Sequence, residues 1–253
     1  MTMNPQPATN PKTVIRRIIK KAKGTARRSL DRAMITFSPK WYNKRFCSRE
    51  GLWDGYFSRA EQSMATSWDQ IIWPIIKDFD FDMVLELAPG AGRNTEKLAE
   101  VARVIHAVDL NEYALKRLRE RFQSFAGKCE LHFHQNRGSD LAMIDDCSIT
   151  FLYCFDAAVH FDRTVMKAYV REFARVLRIN GVGFVHHSNL GATAHVDIRK
   201  NPSWRSNMSK ELFAQYCGSN GLQLIEQIEL PWNTIVDCIS VFRRSNLGLG
   251  DRN

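Results

Sequence analysis

The segment Glu86–Thr95, which reads ELAPGAGRNT, is the most informative part of the 253-residue sequence. A strand-like run at residues 83–88, apolar except for Glu86, overlaps its start, and a helical pattern at residues 94–102 begins at its end. Glycines at such a turn let the backbone approach a ligand closely, and the first turn of the helix offers free N–H donors. The segment therefore predicts a nucleotide-binding strand–turn–helix unit.

Strand-like and helix-like segments alternate from residue 80 onward, which predicts an α/β fold with a mostly parallel sheet. The last two strands follow each other without a helix, so they should form an antiparallel hairpin at one edge. We expect a Rossmann-like sheet of seven strands with one antiparallel edge strand, plus an N-terminal helical extension. The predicted strands are 83–88, 104–109, 131–134, 149–155, 183–187, 222–230 and 235–243, and the predicted helices are 94–102, 112–125, 163–177 and 208–219.

Composition is that of an ordinary globular protein, with 44% hydrophobic and 25% charged residues. No apolar run is long enough to span a membrane, and the N-terminus lacks the apolar core of a secretory signal. The six cysteines include no CxxC pair, which favours a reducing, cytoplasmic compartment over a disulfide framework or zinc site.

The net charge of +9 is concentrated at the N-terminus. Residues 1–45 hold twelve Lys and Arg residues against one acid, so they carry +11 and the remaining 208 residues carry −2. The body of the protein therefore need not favour a polyanion, and we expect no nucleic-acid partner.

Residues 1–40 are predicted to be a partly disordered basic arm with an amphipathic helix. Residues 12–34 would suit an anionic membrane surface at the inner membrane face. Two alternatives stay open, a solvated helix that packs its isoleucines on the main domain and a mitochondrial transit peptide.

Residues 41–80 are rich in aromatic side chains and are predicted to form a helical cap on the main domain, residues 81–253. The aromatic rings could pack as a layer against one edge of the sheet, or they could form a lid over a ligand cleft.

Two acids accompany the glycine turn. Glu86 precedes Gly90 by four residues, and Asp109 ends the second predicted strand, where it could accept both ribose hydroxyls of a nucleoside. Asp109 could instead cap the next helix, as could Asn111. An NAD-binding turn would place a third glycine where this sequence has Thr95, so a dehydrogenase is disfavoured.

These residues resemble the class I methyltransferases that use S-adenosylmethionine. The family pattern is acid-x-Gly-x-Gly-x-Gly; here Ala88 stands at the first glycine position, a mild change because alanine is also small, and Pro89 makes the turn more rigid. The resemblance implies that Glu86 helps hold the methionine end, and that Ser139 and Asp140 meet the adenine, although they could form only a polar turn. The cofactor-binding residues predicted in this way are Glu86, Ala88, Pro89, Gly90, Gly92, Asn94, Asp109, Leu110, Ser139, Asp140 and Phe155.

Candidate catalytic residues follow the fourth and fifth predicted strands. We expect His160 or His187 to take the proton from a hydroxyl acceptor, with Asp156 orienting the acceptor or the imidazole. Each could instead be structural, and no metal site is predicted because the histidine spacing does not support one. Asp156 also starts the sequence DAAV where amine-directed N-methyltransferases have Asn/Asp-Pro-Pro-aromatic, which argues against a nucleobase amine or a glutamine amide as acceptor.

Over residues 41–243 the sequence resembles a bacterial methyltransferase family associated with cell-surface glycan and O-antigen synthesis. This resemblance implies methylation of a sugar hydroxyl on a glycan or glycolipid by an SN2 transfer. Three alternatives remain, which are N-methylation of an amino sugar or small amine, a non-catalytic nucleoside- or RNA-binding module, and the dehydrogenase. The sequence does not indicate an oligomeric state.

Overall fold

The structure is a computed structural model that describes residues 57–58, 61, 66–192, 205–232 and 235–246. The predicted basic arm lies outside the described residues, as does most of the predicted cap. The strands and helices that form the candidate site lie within them.

One seven-stranded sheet forms the centre of the described chain. Its strands are β1 Met83–Leu87, β2 Val104–Asp109, β3 Glu130–Gln135, β4 Ile149–Cys154, β5 Leu177–Ser188, β6 Leu222–Trp232 and β7 Ile235–Arg244. Their order is β3-β2-β1-β4-β5-β7-β6, and the first five are mutually parallel. Strand β7 is antiparallel to both of its neighbours. The mostly parallel sheet and the closing hairpin are confirmed; the reversed strand is β7, and β6 forms the edge.

Short helices cover both faces of the sheet. A π-helical turn, Trp68–Ile72, leads into α1 Trp73–Ile76, and the later helices are α2 Arg93–Ala99, α3 Glu112–Arg121, α4 Arg163–Val176 and α5 Lys210–Gly218. Side-chain caps fix where α3, α4 and α5 begin, because Asn111, Asp162 and Ser209 accept hydrogen bonds from backbone N–H groups of the first turn.

Two apolar clusters lie on opposite faces of the sheet, since successive strand residues point to opposite sides. One joins β4 and β5 to α4 and α5, with Phe173 and Phe213 among its fully buried members. The other joins the sheet to α1, α2 and α3. In this second cluster Trp73 stacks between Trp68 and Phe81 at centroid distances of 6.0 and 6.2 Å. The described tryptophans of the aromatic-rich segment therefore pack as a layer.

The predicted bounds of β5 were the least accurate. We expected 183–187, but β5 begins at Leu177, directly after α4 ends. Asn180 has φ +65°, and the pairing register between β4 and β5 shifts nearby, so the strand continues through an irregularity that the sequence presents as a turn. No helix in the described residues is long and apolar enough to cross a membrane.

Candidate active site

The order of the strands reverses between β1 and β4, because the chain builds β2 and β3 on one side of β1 and then places β4 and β5 on the other. In open parallel sheets, ligands bind outside the carboxyl ends of the strands at such a reversal. Residues 88–92 leave β1 and residues 155–160 leave β4 at this point.

The turn after β1 is built from left-handed residues. Gly90 has φ +59°, and Gly92, which precedes α2, has φ +90°. The buried Pro89 closes the turn, since its carbonyl accepts a hydrogen bond from Gly92 N–H at 3.1 Å. An aromatic ring of the predicted cap lies over this turn, because a Cβ added to Gly90 would come within 3.1 Å of Phe57 Cε1.

Ala88 corrects one expectation about this turn. We expected alanine to be a mild replacement because it is small, but Ala88 has φ +58°, a conformation that costs alanine about 1 kcal/mol and glycine almost nothing. Its N–H donates to the carbonyl of Val108 at 2.7 Å, which helps to hold it there. The left-handed backbone conformation at position 88, more than the size of the side chain, is therefore what favours glycine there.

Glu86 lies in β1 and is only 1% exposed. Its Oε2 accepts a hydrogen bond from the Thr95 hydroxyl at 2.6 Å, whereas its Oε1 is buried without a hydrogen-bond partner. Burial raises the pKa of Glu86 to about 7, and the nearby Asp109 also raises it. Asn94 Oδ1 is a second buried acceptor without a partner. Such acceptors are costly unless a donor reaches them, so this corner of the site suits a ligand that carries N–H donors.

Asp109 ends β2 as predicted, and each of its carboxylate oxygens receives a backbone N–H. Gly90 donates to Oδ2 at 3.2 Å and Asn111 donates to Oδ1 at 2.8 Å. Burial raises the pKa of Asp109 to about 6, although these backbone hydrogen bonds oppose the shift. A carboxylate oxygen has two lone pairs, so Asp109 can still accept hydrogen bonds from a diol. Asn111, rather than Asp109, provides the side-chain cap of α3.

The loop after β3 is organised by Asn136, which sequence analysis missed. Its amide nitrogen donates to the Asp140 carbonyl at 3.0 Å and to the Tyr169 hydroxyl at 2.8 Å, and its Oδ1 accepts from Gly138 N–H. Ser139 and Asp140 are half-buried, and Asp140 Oδ2 accepts from Arg137 N–H at 3.2 Å. The available signal was an amide side chain directly after a strand.

Leu110 and Phe155 lie at two strand ends of the predicted cofactor site. Leu110 is half-buried, and a Cβ added to Gly138 in the loop after β3 would come within 3.3 Å of its Cδ2. Phe155 is 7% exposed, and its ring packs 4.7 Å from the ring of His186.

The end of β4 carries an acid and an imidazole. Asp156 has φ +60°, and its Oδ2 accepts a hydrogen bond from Arg93 Nη2 at 2.8 Å, in a largely buried ion pair that sequence analysis did not predict. His160 ends the short 3-10 helix Ala158–His160 and is exposed to solvent. The Arg93–Asp156 ion pair therefore connects the glycine turn to the segment that follows β4.

His186 and His187 are neighbours in β5 that face opposite sides of the sheet. His187 is fully buried, stacks on Phe213 at 4.4 Å, and has Ser188 O and Ser240 Oγ at hydrogen-bond distance from its two ring nitrogens. Burial lowers the pKa of His187 to about 4. The ring of His187 is therefore enclosed on its own side of the sheet. His186, and not His187, lies beside the segment that follows β4.

Residues 84–181 match a family model described as a methyltransferase domain. The protein contains an S-adenosylmethionine-dependent methyltransferase domain. No curated protein matches the sequence significantly.

Solved structures share the fold of this methyltransferase at low sequence identity. A Clostridium acetobutylicum S-adenosylmethionine-dependent methyltransferase is 16% identical with a TM-score of 0.58, over 76% of this chain and 98% of that one. Magnesium protoporphyrin IX methyltransferase from Synechocystis, with S-adenosylhomocysteine bound, is 14% identical with a TM-score of 0.56, over 74% and 84%. Geranyl diphosphate C-methyltransferase from Streptomyces coelicolor is 11% identical with a TM-score of 0.55, over 64% and 69%. At such identities the likeness establishes the fold, and the named acceptors are those of the neighbours.

The residues around the glycine turn fit S-adenosylmethionine. The unpaired Oε1 of Glu86 and Oδ1 of Asn94 can accept hydrogen bonds from an ammonium group, and Asp109 can accept them from a ribose diol. When bound, the cofactor supplies a methyl group on a positively charged sulfur. Within the part of the methyltransferase that the structure describes, no group of three or more His, Cys, Asp or Glu side chains could hold a metal ion.

Proposed function

We propose that the methyltransferase acts on a hydroxyl group, and that the acceptor is a sugar hydroxyl of a glycan or glycolipid. The proposal depends mainly on the pair of side chains that follow β4. Asp156 lies beside the glycine turn through its ion pair with Arg93, and His160 is exposed four residues later.

A hydroxyl is a weak nucleophile until a base takes its proton, and an exposed imidazole is suited to that task near neutral pH. We assign this role to His160, because the buried ring of His187 is enclosed by Ser188, Ser240 and Phe213. Asp156 would accept a hydrogen bond from the acceptor or from the imidazole. The sugar itself is inferred from the family resemblance.

The test measures transfer of a labelled methyl group to methyl glycosides of common hexoses and to the matching amino sugars. We expect His160→Ala to lower kcat for a hydroxyl acceptor by about a hundredfold, because general-base catalysis contributes that much. Affinity for S-adenosylhomocysteine should stay within about twofold, since His160 is not among the residues assigned to the cofactor. His132→Ala removes another solvent-accessible histidine from the edge strand β3 and should leave kcat unchanged.

Three results would contradict the proposal. Full activity of His160→Ala toward a hydroxyl acceptor would show that His160 is not the general base. Turnover of amino sugars alone would favour N-methylation, which needs no strong base when the amine arrives neutral. Salt-sensitive RNA binding without any methyl transfer would favour the non-catalytic binding module.

We also propose that the enzyme is cytoplasmic and that residues 12–34 hold it at an anionic membrane, because this stretch is basic and has apolar residues at helical spacing. Cosedimentation of the full chain with phosphatidylglycerol vesicles tests this. Binding should fall when Arg16, Arg17, Lys20 and Lys21 are replaced by Gln, and equal binding by that variant would contradict the proposal.

A further inference from the structure

Asp156 has a strained backbone at the position where the acceptor is expected. Its φ of +60° is unfavourable for a residue with a side chain, and such a conformation persists only where surrounding contacts hold it. One contact is the ion pair from Arg93 to the carboxylate. Another is on the backbone, where Asp156 N–H donates to His186 Nδ1 at 3.2 Å.

This hydrogen bond fixes the state of the His186 ring. Because Nδ1 accepts a hydrogen bond from Asp156 N–H, the lone pair of Nδ1 is engaged and the ring hydrogen is assigned to Nε2. Nε2 points toward Asp237 Oδ2 at 3.4 Å, an electrostatic contact longer than a good hydrogen bond, and is otherwise unpaired. The centroid of the ring lies 4.7 Å from that of Phe155, and the two rings are tilted by 32°. His186 is completely buried, so solvent does not compete for either nitrogen.

Asp237 is itself anchored by a buried guanidinium. Arg205 donates to both carboxylate oxygens, with Nε 3.0 Å and Nη2 2.7 Å from Oδ2 and with Nε 3.2 Å from Oδ1. Burial opposes ionisation of Asp237, but the contacts with His186 and Arg205 outweigh it and lower its pKa. The carboxylate on β7 is therefore a fixed charge behind the imidazole.

The segment that carries Arg205 also contacts the segment that follows β4. Ser206 N–H donates to the Val159 carbonyl at 2.8 Å, one residue before His160, and the Ser188 hydroxyl donates to the Ser206 carbonyl at 2.7 Å. The contacts that run from Arg205 through Asp237 and His186 thus end on the backbone of Asp156. Ser206, the residue after Arg205, holds the turn that carries His160.

We propose that His186 is a positioning residue for methyl transfer, and that it acts by holding the backbone of Asp156 in its left-handed conformation. The inference rests on the proposed function, because it gives Asp156 a role at the acceptor. His186 needs no contact with the acceptor for this role. Nδ1 as the acceptor is the group that this role requires, and Asp237 supports the ring from behind.

Three replacements of His186 separate positioning from simple loss of packing. His186→Asn keeps an acceptor close to the position of Nδ1. His186→Gln keeps a polar group close to the position of Nε2 but leaves Asp156 N–H without its partner. His186→Phe fills the space and provides neither polar group. With the methyl glycoside of highest turnover, we expect Gln and Phe to lower kcat about tenfold to a hundredfold and Asn to recover most of it, because small misplacements at a reacting centre are costly. The Kd for S-adenosylhomocysteine should stay within about twofold in all three.

Ser240→Ala is the matched control for stability. It breaks a buried polar pair with His187 on the opposite face of the sheet, so it should reduce the free energy of unfolding and leave kcat unchanged. A double-mutant cycle adds Asp156→Gly, which removes both the strain and the side chain. If His186 acts through Asp156, His186→Gln should cost little further activity in that background.

Nitrogen-15 NMR of the full chain supplies a readout that does not depend on turnover. We expect Nε2 of His186 to be protonated and Nδ1 not, and slow exchange of Asp156 N–H in the wild type and in His186→Asn but not in His186→Gln. A proton on Nδ1, equal activity of the Asn and Gln variants, or additive losses in the cycle would overturn the inference. Full activity of Asp156→Asn would instead overturn the proposed role of Asp156, which separates the two failures.

Discussion

Ala88 is a position where the sequence carries strain that a single substitution can remove. Its φ of +58° is unfavourable for alanine, so Ala88→Gly should raise the free energy of unfolding by about 1 kcal/mol even though glycine makes the unfolded chain more flexible. Chemical denaturation measures the change.

Ala142→Gly is the control for that prediction. Ala142 is exposed in a turn and is not among the residues with positive φ, so glycine should lower stability there by about 0.5 kcal/mol. Equal effects at positions 88 and 142 would contradict the strain assigned to Ala88.

Glu86 should make cofactor affinity depend on pH. Because folding raises the pKa of Glu86 to about 7 and of Asp109 to about 6, the folded chain holds these protons more tightly than the unfolded chain. Protonation of Glu86 and Asp109 therefore stabilises the folded chain fully below about pH 4, and this stabilisation is lost as the pH rises through about 6 to 7. The ammonium group of the ligand favours the ionised form of Glu86, so binding of the ligand should release protons.

We expect S-adenosylhomocysteine to bind more tightly at about pH 7.5 than at about pH 5.5, by up to about tenfold for each pH unit below the pKa of Glu86. Calorimetry in buffers of different ionisation enthalpy counts the released protons. Glu86→Gln should reduce both the pH dependence and the proton release, whereas Glu96→Gln, on the exposed side of α2, should change neither. Proton uptake on binding would contradict the assignment.

Gly92 precedes helix α2, and the packing against α3 also requires a glycine there. A Cβ on Gly92 would come 2.3 Å from Leu118 Cδ1, and the φ of +90° would strain any side chain. Gly92→Ala should therefore lower the free energy of unfolding by about 2 kcal/mol. Gly218 ends α5 with no atom within 4 Å of an added Cβ, so Gly218→Ala should be neutral or stabilising. A Gly92→Ala variant as stable as the wild type in thermal unfolding would contradict this account of the turn.

Strands that are bounded by polar turns were predictable from sequence, while the exact ends of helices were not. The predicted bounds of β2 match the structure, and those of β1, β4 and β7 differ by one residue. Helix α3 was expected to reach residue 125 but ends at Arg121, because apolar Phe122 and Phe125 continue the pattern while packing against each other edge-on outside the helix. An apolar repeat reports which face is buried and does not report where the last helical hydrogen bond forms.

The two halves of the candidate site differ in how far the sequence could predict them. The proposed cofactor half is local, since Glu86 lies in β1, Gly90 and Gly92 lie in the turn that follows it, and Asp109 ends the next strand. Spacing alone therefore brings them together. The acceptor half depends on contacts between distant segments, such as Arg93 with Asp156 and Arg205 with Asp237. Both faces of β5 are buried at its carboxyl end, so alternation could not decide whether His186 or His187 faces the site.

Titration of the full chain with S-adenosylhomocysteine by calorimetry is the most direct test that the turn after β1 and the end of β2 form the cofactor site. We predict one binding site per chain, no detectable binding of NAD, and affinity at least about tenfold weaker in Asp109→Asn, which keeps the shape but loses the charge that accepts the ribose diol. Binding of NAD in place of S-adenosylhomocysteine, or unchanged affinity in Asp109→Asn, would contradict the assignment.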